Sequence, residues 1–258
     1  MRNAGSRRAR AVRGALLALV LVLAALLPPT ASAEIVLEAC DAEVQRASAT
    51  LAKIFSQWPL RPTGDPVDKR LQAITTRLAL QAGEQHHRQW RTHVLRDSKL
   101  NAFSIGDGHI FVTEGMLRFV DSEAELAALL THEFAHHVAG HFCQKPRKAR
   151  FVRHLFGAGD EPGGQVGELS ASMDPDKERD ADRIGTVMLR RAGYNPRVAV
   201  LLAARMSASG TPAHFQYGQR IEALQALLAD DPHRHWNNRD SAAFVAMKDA
   251  LRAEPVVP

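Results

Sequence analysis

The sequence predicts an α+β domain, mostly helical, with a small β-sheet placed immediately before a metal-binding helix. Three observations carry that expectation. Apolar residues recur at helical spacing before residue 83 and again after residue 177. Three short β-type segments lie between Thr92 and Thr113, with Gly106-Asp107-Gly108 as a turn. Finally, the apolar run Ala124–Leu130 leads into Thr131-His132-Glu133-Phe134-Ala135-His136. On a helix turning about 100° per residue, positions i and i+4 lie one above the other. His132 and His136 can therefore offer two imidazoles to one metal, with Glu133 beside them, which is the HExxH arrangement of zinc hydrolases.

The chain of 258 residues opens with Arg2, Arg7, Arg8, Arg10 and Arg13 and an apolar block of 13 residues, Ala15–Leu27. Ala31-Ser32-Ala33 follows. A basic start, a short apolar block and an A-x-A site make a secretory signal peptide over 1–33, with cleavage expected before Glu34; the block is too short to span a bilayer comfortably. The segment holds five of the 33 Lys and Arg and none of the 28 Asp and Glu, so the remainder has 28 of each sign. The mature part is thus formally neutral, and no basic tract with interleaved aromatics points to nucleic acid. Residues 34–258 are long enough for one core and are read as a single domain. Cys40 and Cys143 sit in what should be an oxidising compartment, and the sequence leaves open whether they meet.

Taken in order, residues 38–57 read as a helix with Ala39, Val44, Ala47, Leu51, Ile54 and Phe55 near one face, and Val67–Ala82 as a second that buries Leu71, Ile74 and Leu78. Prolines 59, 62 and 66 separate them. The β segments are Thr92–Arg96, Asn101–Ile105 and His109–Thr113. Asp121 or Ser122 should cap the metal helix, with Glu125 closing a capping box on Ser122. Residues of about 144–177, rich in basic residues and then in glycine, read as a mobile insert. Three further helices are expected: from Glu178 to near Gly193, Pro196 to Met206 and Arg220 to Ala229, followed by a polar C-terminal stretch.

A catalytic zinc takes three protein ligands and leaves a fourth position to water. Glu178 is the expected third ligand, with Asp182 one turn on accepting the outer ring N–H of a ligand histidine. A metzincin site is excluded by counting, because Ala139 and Phe142 stand where its glycine and third histidine belong. By helical extrapolation His137 and His141 point away from the metal and are expected as packing or surface histidines. An edge strand before the metal helix suits an extended peptide held by backbone hydrogen bonds, so Asn101, Ala102 and Phe103 are the expected substrate-binding residues.

Several motifs then fall in one order: Asn101-Ala102-Phe103, Gly108–Val112, Glu114-Gly115-Met116-Leu117, HEFAH with His141 five residues on, Glu178-x-x-Ala181-Asp182-Arg183-x-Gly185, and Ala192–Pro196. Over roughly residues 67–228 the chain resembles the prenyl-protease-like zinc metallopeptidases of the HtpX/BepA type. The resemblance implies a zincin-like (gluzincin) fold with one Zn2+ per chain held by His132, His136 and Glu178, and Glu133 as general base. It also implies that His214 approaches the metal and the oxyanion and that Arg220, six residues on, supports the site, although Phe215 replaces the family's proline. The expected function is a periplasmic zinc endopeptidase acting on unfolded or misassembled envelope proteins, with peripheral association with the membrane or outer-membrane assembly machinery. The alternative is a non-proteolytic or latent zinc-binding chaperone whose fourth position His214 closes.

Overall fold

The computed structural model describes residues 39–84, 88–143, 175–209, 218–229, 236 and 239–255. The signal peptide, most of the 144–177 insert and His214 lie outside the described residues. Among the described residues, eight helices and three strands follow one another: α1 (Asp41–Gln57), α2 (Pro66–Ala82), β1 (Arg91–Leu95), β2 (Ala102–Gly106), β3 (His109–Thr113), α3 (Glu114–Phe119), α4 (Glu123–Val138), α5 (Pro175–Arg191), α6 (Arg197–Ala208), α7 (Gly218–Leu227) and α8 (Ala242–Ala253). The architecture is α+β, mostly helical with one three-stranded sheet.

Local signals set the early helices. Asp65 caps α2 by accepting the Val67 N–H at 2.8 Å, Pro66 occupies its first turn, and Gly83 ends it at φ 86°. Its apolar stripe of Val67, Leu71, Ile74, Leu78 and Ala82 is fully buried. The face expected for α1 is rotated: Val44 and Phe55 are exposed, while Glu43 is buried with Ala47 and Ile54. Hydropathy could not show this, because a carboxylate occupies the inner position. Glu43 accepts from Arg88 Nη1 at 2.7 Å and from the Asp107 N–H at 2.8 Å, which compensates its burial.

Strand order is β1-β3-β2, with β1 parallel to β3 and β2 antiparallel to it through the Asp107 turn. The sheet is covered on both faces. Val94, Ala102, Ile110 and Val112 join the main core with α2 and α4, whereas Leu95, Phe103, Ile105 and Phe111 join Ile54 of α1 in a second cluster. Every residue of α4 is buried, so the helix that carries His132 and His136 runs through the core. Ser122 caps it by accepting the Glu125 N–H at 3.2 Å. Glu125 does not close the box on Ser122; it accepts the Asp121 N–H at 2.8 Å and pairs with Arg205 at 2.6 Å.

The C-terminal stretch, expected to be polar throughout, contains α8. Ser241 caps it, Phe244, Met247 and Leu251 bury one face in the main core, and Lys248 Nζ donates to the carbonyls of Leu117, Arg118 and Val120 at 3.0, 2.8 and 2.5 Å. No helix among the described residues is long and apolar enough to cross a membrane.

Cys40, at the start of α1, and Cys143, just beyond α4, form a disulfide with Cα atoms 5.8 Å apart across 103 residues. Closing so long a loop restricts the unfolded chain strongly. Cys143→Ser is expected to cost about 2–5 kcal/mol, read as a lower denaturation midpoint in guanidinium. An unchanged midpoint would mean that the polar contacts of Glu43 hold this junction unaided.

Candidate metal centre

One helix supplies most of the centre. His132 and His136 are 7 % and 1 % exposed on consecutive turns of α4, with their Nε2 atoms 3.2 Å apart. Helix α5 lies across α4 and brings in Glu178, which is fully buried. Its Oε2 is 3.4 Å from His132 Nε2 and its Oε1 3.6 Å from His136 Nε2. The close crossing depends on Gly185, where a Cβ would lie 3.0 Å from the Thr131 carbonyl and 3.1 Å from the His132 backbone. A side chain there would force α5 outward.

These separations fit a metal. Zinc bonds to nitrogen and oxygen of about 2.0–2.1 Å in a tetrahedron put neighbouring ligand atoms about 3.3 Å apart. The three observed edges of 3.2, 3.4 and 3.6 Å bracket that value, and two imidazoles with one carboxylate are the donor set of a hydrolytic zinc site.

The ligands are themselves held. His132 Nδ1 is 3.1 Å from Asp182 Oδ1, so that nitrogen carries the proton and Nε2 presents its lone pair to the metal position. Asp182 is gripped by Arg220 of α7, whose Nε and Nη2 donate at 2.8 and 2.5 Å, while Nη1 lies 3.1 Å from Glu178 Oε2. Burial would raise the Asp182 pKa, but Arg220 and His132 hold it below the usual carboxylate value. For His132, burial and Arg220 act downward, yet Asp182 and Glu178 outweigh them and raise it. The guanidinium thus bridges the two carboxylates that α5 brings to the site.

His141 also holds a ligand. Its Nδ1 is 2.9 Å from Nδ1 of His136. This corrects the expectation that it points away. Helix α4 ends at Val138 and Gly140 takes φ 64°, so helical extrapolation to residue 141 fails and the chain turns back onto the site. Only the spacing HExxHxxxxH hinted at it. His137 is a packing residue, fully buried edge-on against Trp90.

Glu133, 1 % exposed, accepts a hydrogen bond from Ser104 Oγ of β2 at 2.7 Å. Strand β2 occupies the sheet edge opposite β1, as a substrate-pairing strand requires. The side chains expected to meet substrate belong to the interior, however. Asn101 and Ala102 are fully buried, and Phe103 is 4 % exposed with its ring stacked 5.2 Å from Phe111.

Most perturbed histidines here resist protonation. Burial, with Lys177 next, holds His141 at about 4, and burial with the neighbouring His109 holds His93 at about 3; burial also lowers His109 and His137. A folded pKa below the unfolded value of about 6.5 means that the unfolded chain binds more protons below that pH. Stability is therefore complete above about pH 6.5 and falls towards about pH 4. His132, being raised, opposes this trend. The Tm of the metal-free chain should drop between about pH 7 and pH 5, each of His93 and His141 costing up to about 1.4 kcal/mol per pH unit. A Tm that rises on acidification would contradict the buried neutral histidines.

Residues 66–159 match the family described as Peptidase family M48. Curated relatives include mitochondrial metalloendopeptidase OMA1 of Schizosaccharomyces pombe, 30 % identical over 180 residues, which are 66 % of this chain and 53 % of that protein. The Arabidopsis thaliana OMA1 is 31 % identical over 139 residues, 50 % of this chain and 28 % of that one. The beta-barrel assembly-enhancing protease of Yersinia pestis is 25 % identical over 126 residues, 41 % and 26 % of the two chains. The chain thus spans about half the length of the fission-yeast relative and about a quarter of the other two. The family match includes His132, Glu133 and His136 but stops short of Glu178, whose place at the centre rests on geometry.

Proposed function

Since residues 66–159 match the family described as Peptidase family M48, we propose that the chain is a zinc-dependent endopeptidase of zincin-like fold that cleaves unfolded or misassembled envelope proteins in the periplasm. One observation carries the activity: His132, His136 and Glu178 are spaced as three vertices of a zinc tetrahedron, with Glu133 on the same turn of α4. The signal-peptide pattern of residues 1–33 and the relatives named as beta-barrel assembly-enhancing proteases support the location and the substrate class.

When bound, zinc supplies Lewis acidity and brings the pKa of coordinated water down to about 7. The protein's own residues do the rest. Asp182 and His141 keep the ligand imidazoles in the tautomer that presents Nε2. Glu133 takes the proton of the attacking water and returns it to the leaving amine as the peptide bond breaks. Backbone pairing along β2 would hold an extended peptide with little demand on its sequence.

The test is to purify the exported protein, count its zinc, and follow cleavage of a denatured protein before chelation, after it, and after zinc is restored. About one zinc per chain and cleavage that is lost and regained are expected. A zinc-loaded protein that leaves the denatured substrate intact would overturn the endopeptidase reading in favour of a latent or chaperone-like one.

A further inference from the structure

Strand β2 is buried along its whole length, and such strands ordinarily read as continuous apolar runs. Its residues are Ala102, Phe103, Ser104, Ile105 and Gly106, so one side chain is polar. The alternation places it: Phe103 and Ile105 enter the cluster against α1, whereas Ala102 joins the main core that includes α4, and Ser104 faces that same way. Ser104 as a whole is 8 % exposed, and a hydroxyl in such a place is costly unless it is bonded. Its partner is Oε2 of Glu133 at 2.7 Å, and Ser104 is the donor.

The backbone is adjusted at the same point. Pairing with β3 runs Ser104↔Ile110 and then Gly106↔His109, so one extra residue is bulged out directly after Ser104. Bulges re-aim side chains and end regular pairing, and they are frequent next to active sites. Gly106, at φ 101°, permits this one, since a Cβ there would meet Glu43 Cγ at 2.8 Å.

From this geometry we infer that Ser104 is a positioning residue for the general base, locking the Glu133 carboxylate in the orientation that proton transfer needs. The inference rests on the endopeptidase reading above. The last torsion of a glutamate is broad and poorly defined by sterics. A donor 2.7 Å from one carboxylate oxygen defines it. Proton transfer depends steeply on such placement, whereas substrate binding and metal ligation do not pass through this hydroxyl.

The experiment compares the parent, Ser104→Ala, Ser104→Thr and Glu133→Gln as zinc-loaded full-length proteins on a denatured substrate. Ser104→Ala should lose roughly tenfold in kcat, with KM within about twofold and zinc content unchanged, and Ser104→Thr, which keeps the donor, should recover most of the loss. If the parent cuts faster than Glu133→Gln but Ser104→Ala matches the parent, the positioning role is wrong and the endopeptidase reading stands. If the parent is no faster than Glu133→Gln, the endopeptidase reading falls and this inference with it. A second readout needs no activity: in the metal-free chain, the Tm shifts of Ser104→Ala and Glu133→Ala should be non-additive. Additive shifts would mean that hydroxyl and carboxylate are uncoupled, which also overturns the inference.

Discussion

Glu133→Gln is expected to keep its zinc and lose about 10²–10⁴-fold in kcat, the range in which a positioned general base contributes. The amide has nearly the shape of the carboxylate, and its oxygen can still accept from Ser104 Oγ, so the packing around α4 should survive. It cannot take a proton from water near neutral pH. The ligands are untouched because Glu133 is directed at Ser104 and the ligand atoms of His132, His136 and Glu178 face one another. Elemental analysis and cleavage of a denatured protein under single-turnover conditions check both halves. A variant that cuts as fast as the parent would remove Glu133 from the chemistry.

Glu178→Ala should weaken zinc binding by more than about 100-fold, since even partners that merely orient a ligand contribute about 10–100-fold. Two imidazoles alone leave a tetrahedral ion half coordinated. The substitution also takes from Arg220 Nη1 its carboxylate partner at 3.1 Å, which removes one of the anions that compensate this buried cation. Removing one member of such a group is strongly destabilising. Glu178→Gln separates the two effects, because it keeps volume and an acceptor oxygen for Arg220 while lowering ligand strength. Competition against a chromophoric chelator measures the affinity. If Glu178→Ala holds zinc as tightly as the parent, another residue completes the site.

Much of the helical frame was legible because its determinants are short-range. Asp65, Pro66 and Gly83 bracket α2, and Ser122 starts α4, through contacts within a few residues. The glycine-flanked turn at Asp107 likewise marked the β2–β3 hairpin. The face of α1 was not legible, because Glu43 is buried by partners at positions 88 and 107 that no window around α1 contains. Helix α8 was missed although its local signals are present: Ser241 stands as its N-cap, and Phe244, Met247 and Leu251 recur at helical spacing among alanines. Its insertion into the main core and the grip of Lys248 on the end of α3 are tertiary events.

The candidate centre divides along the same line. Sequence by itself determined that His132, Glu133 and His136 share one face of one helix, since a 3.6-residue period places them there whatever else the chain does. The i,i+4 pairing of Glu178 with Asp182 is determined in the same way. Tertiary structure decided that this second pair lies on the first, through the clearance at Gly185. It also decided that His141 turns back to His136 after Gly140, that Arg220 fastens Asp182, that Cys40 reaches Cys143, and that Ser104 meets Glu133. The physical reason is range: helical spacing follows from local backbone geometry, whereas these contacts, apart from the five-residue return of His141 across the Gly140 turn, span 29 to 103 residues and exist only once the whole core is packed.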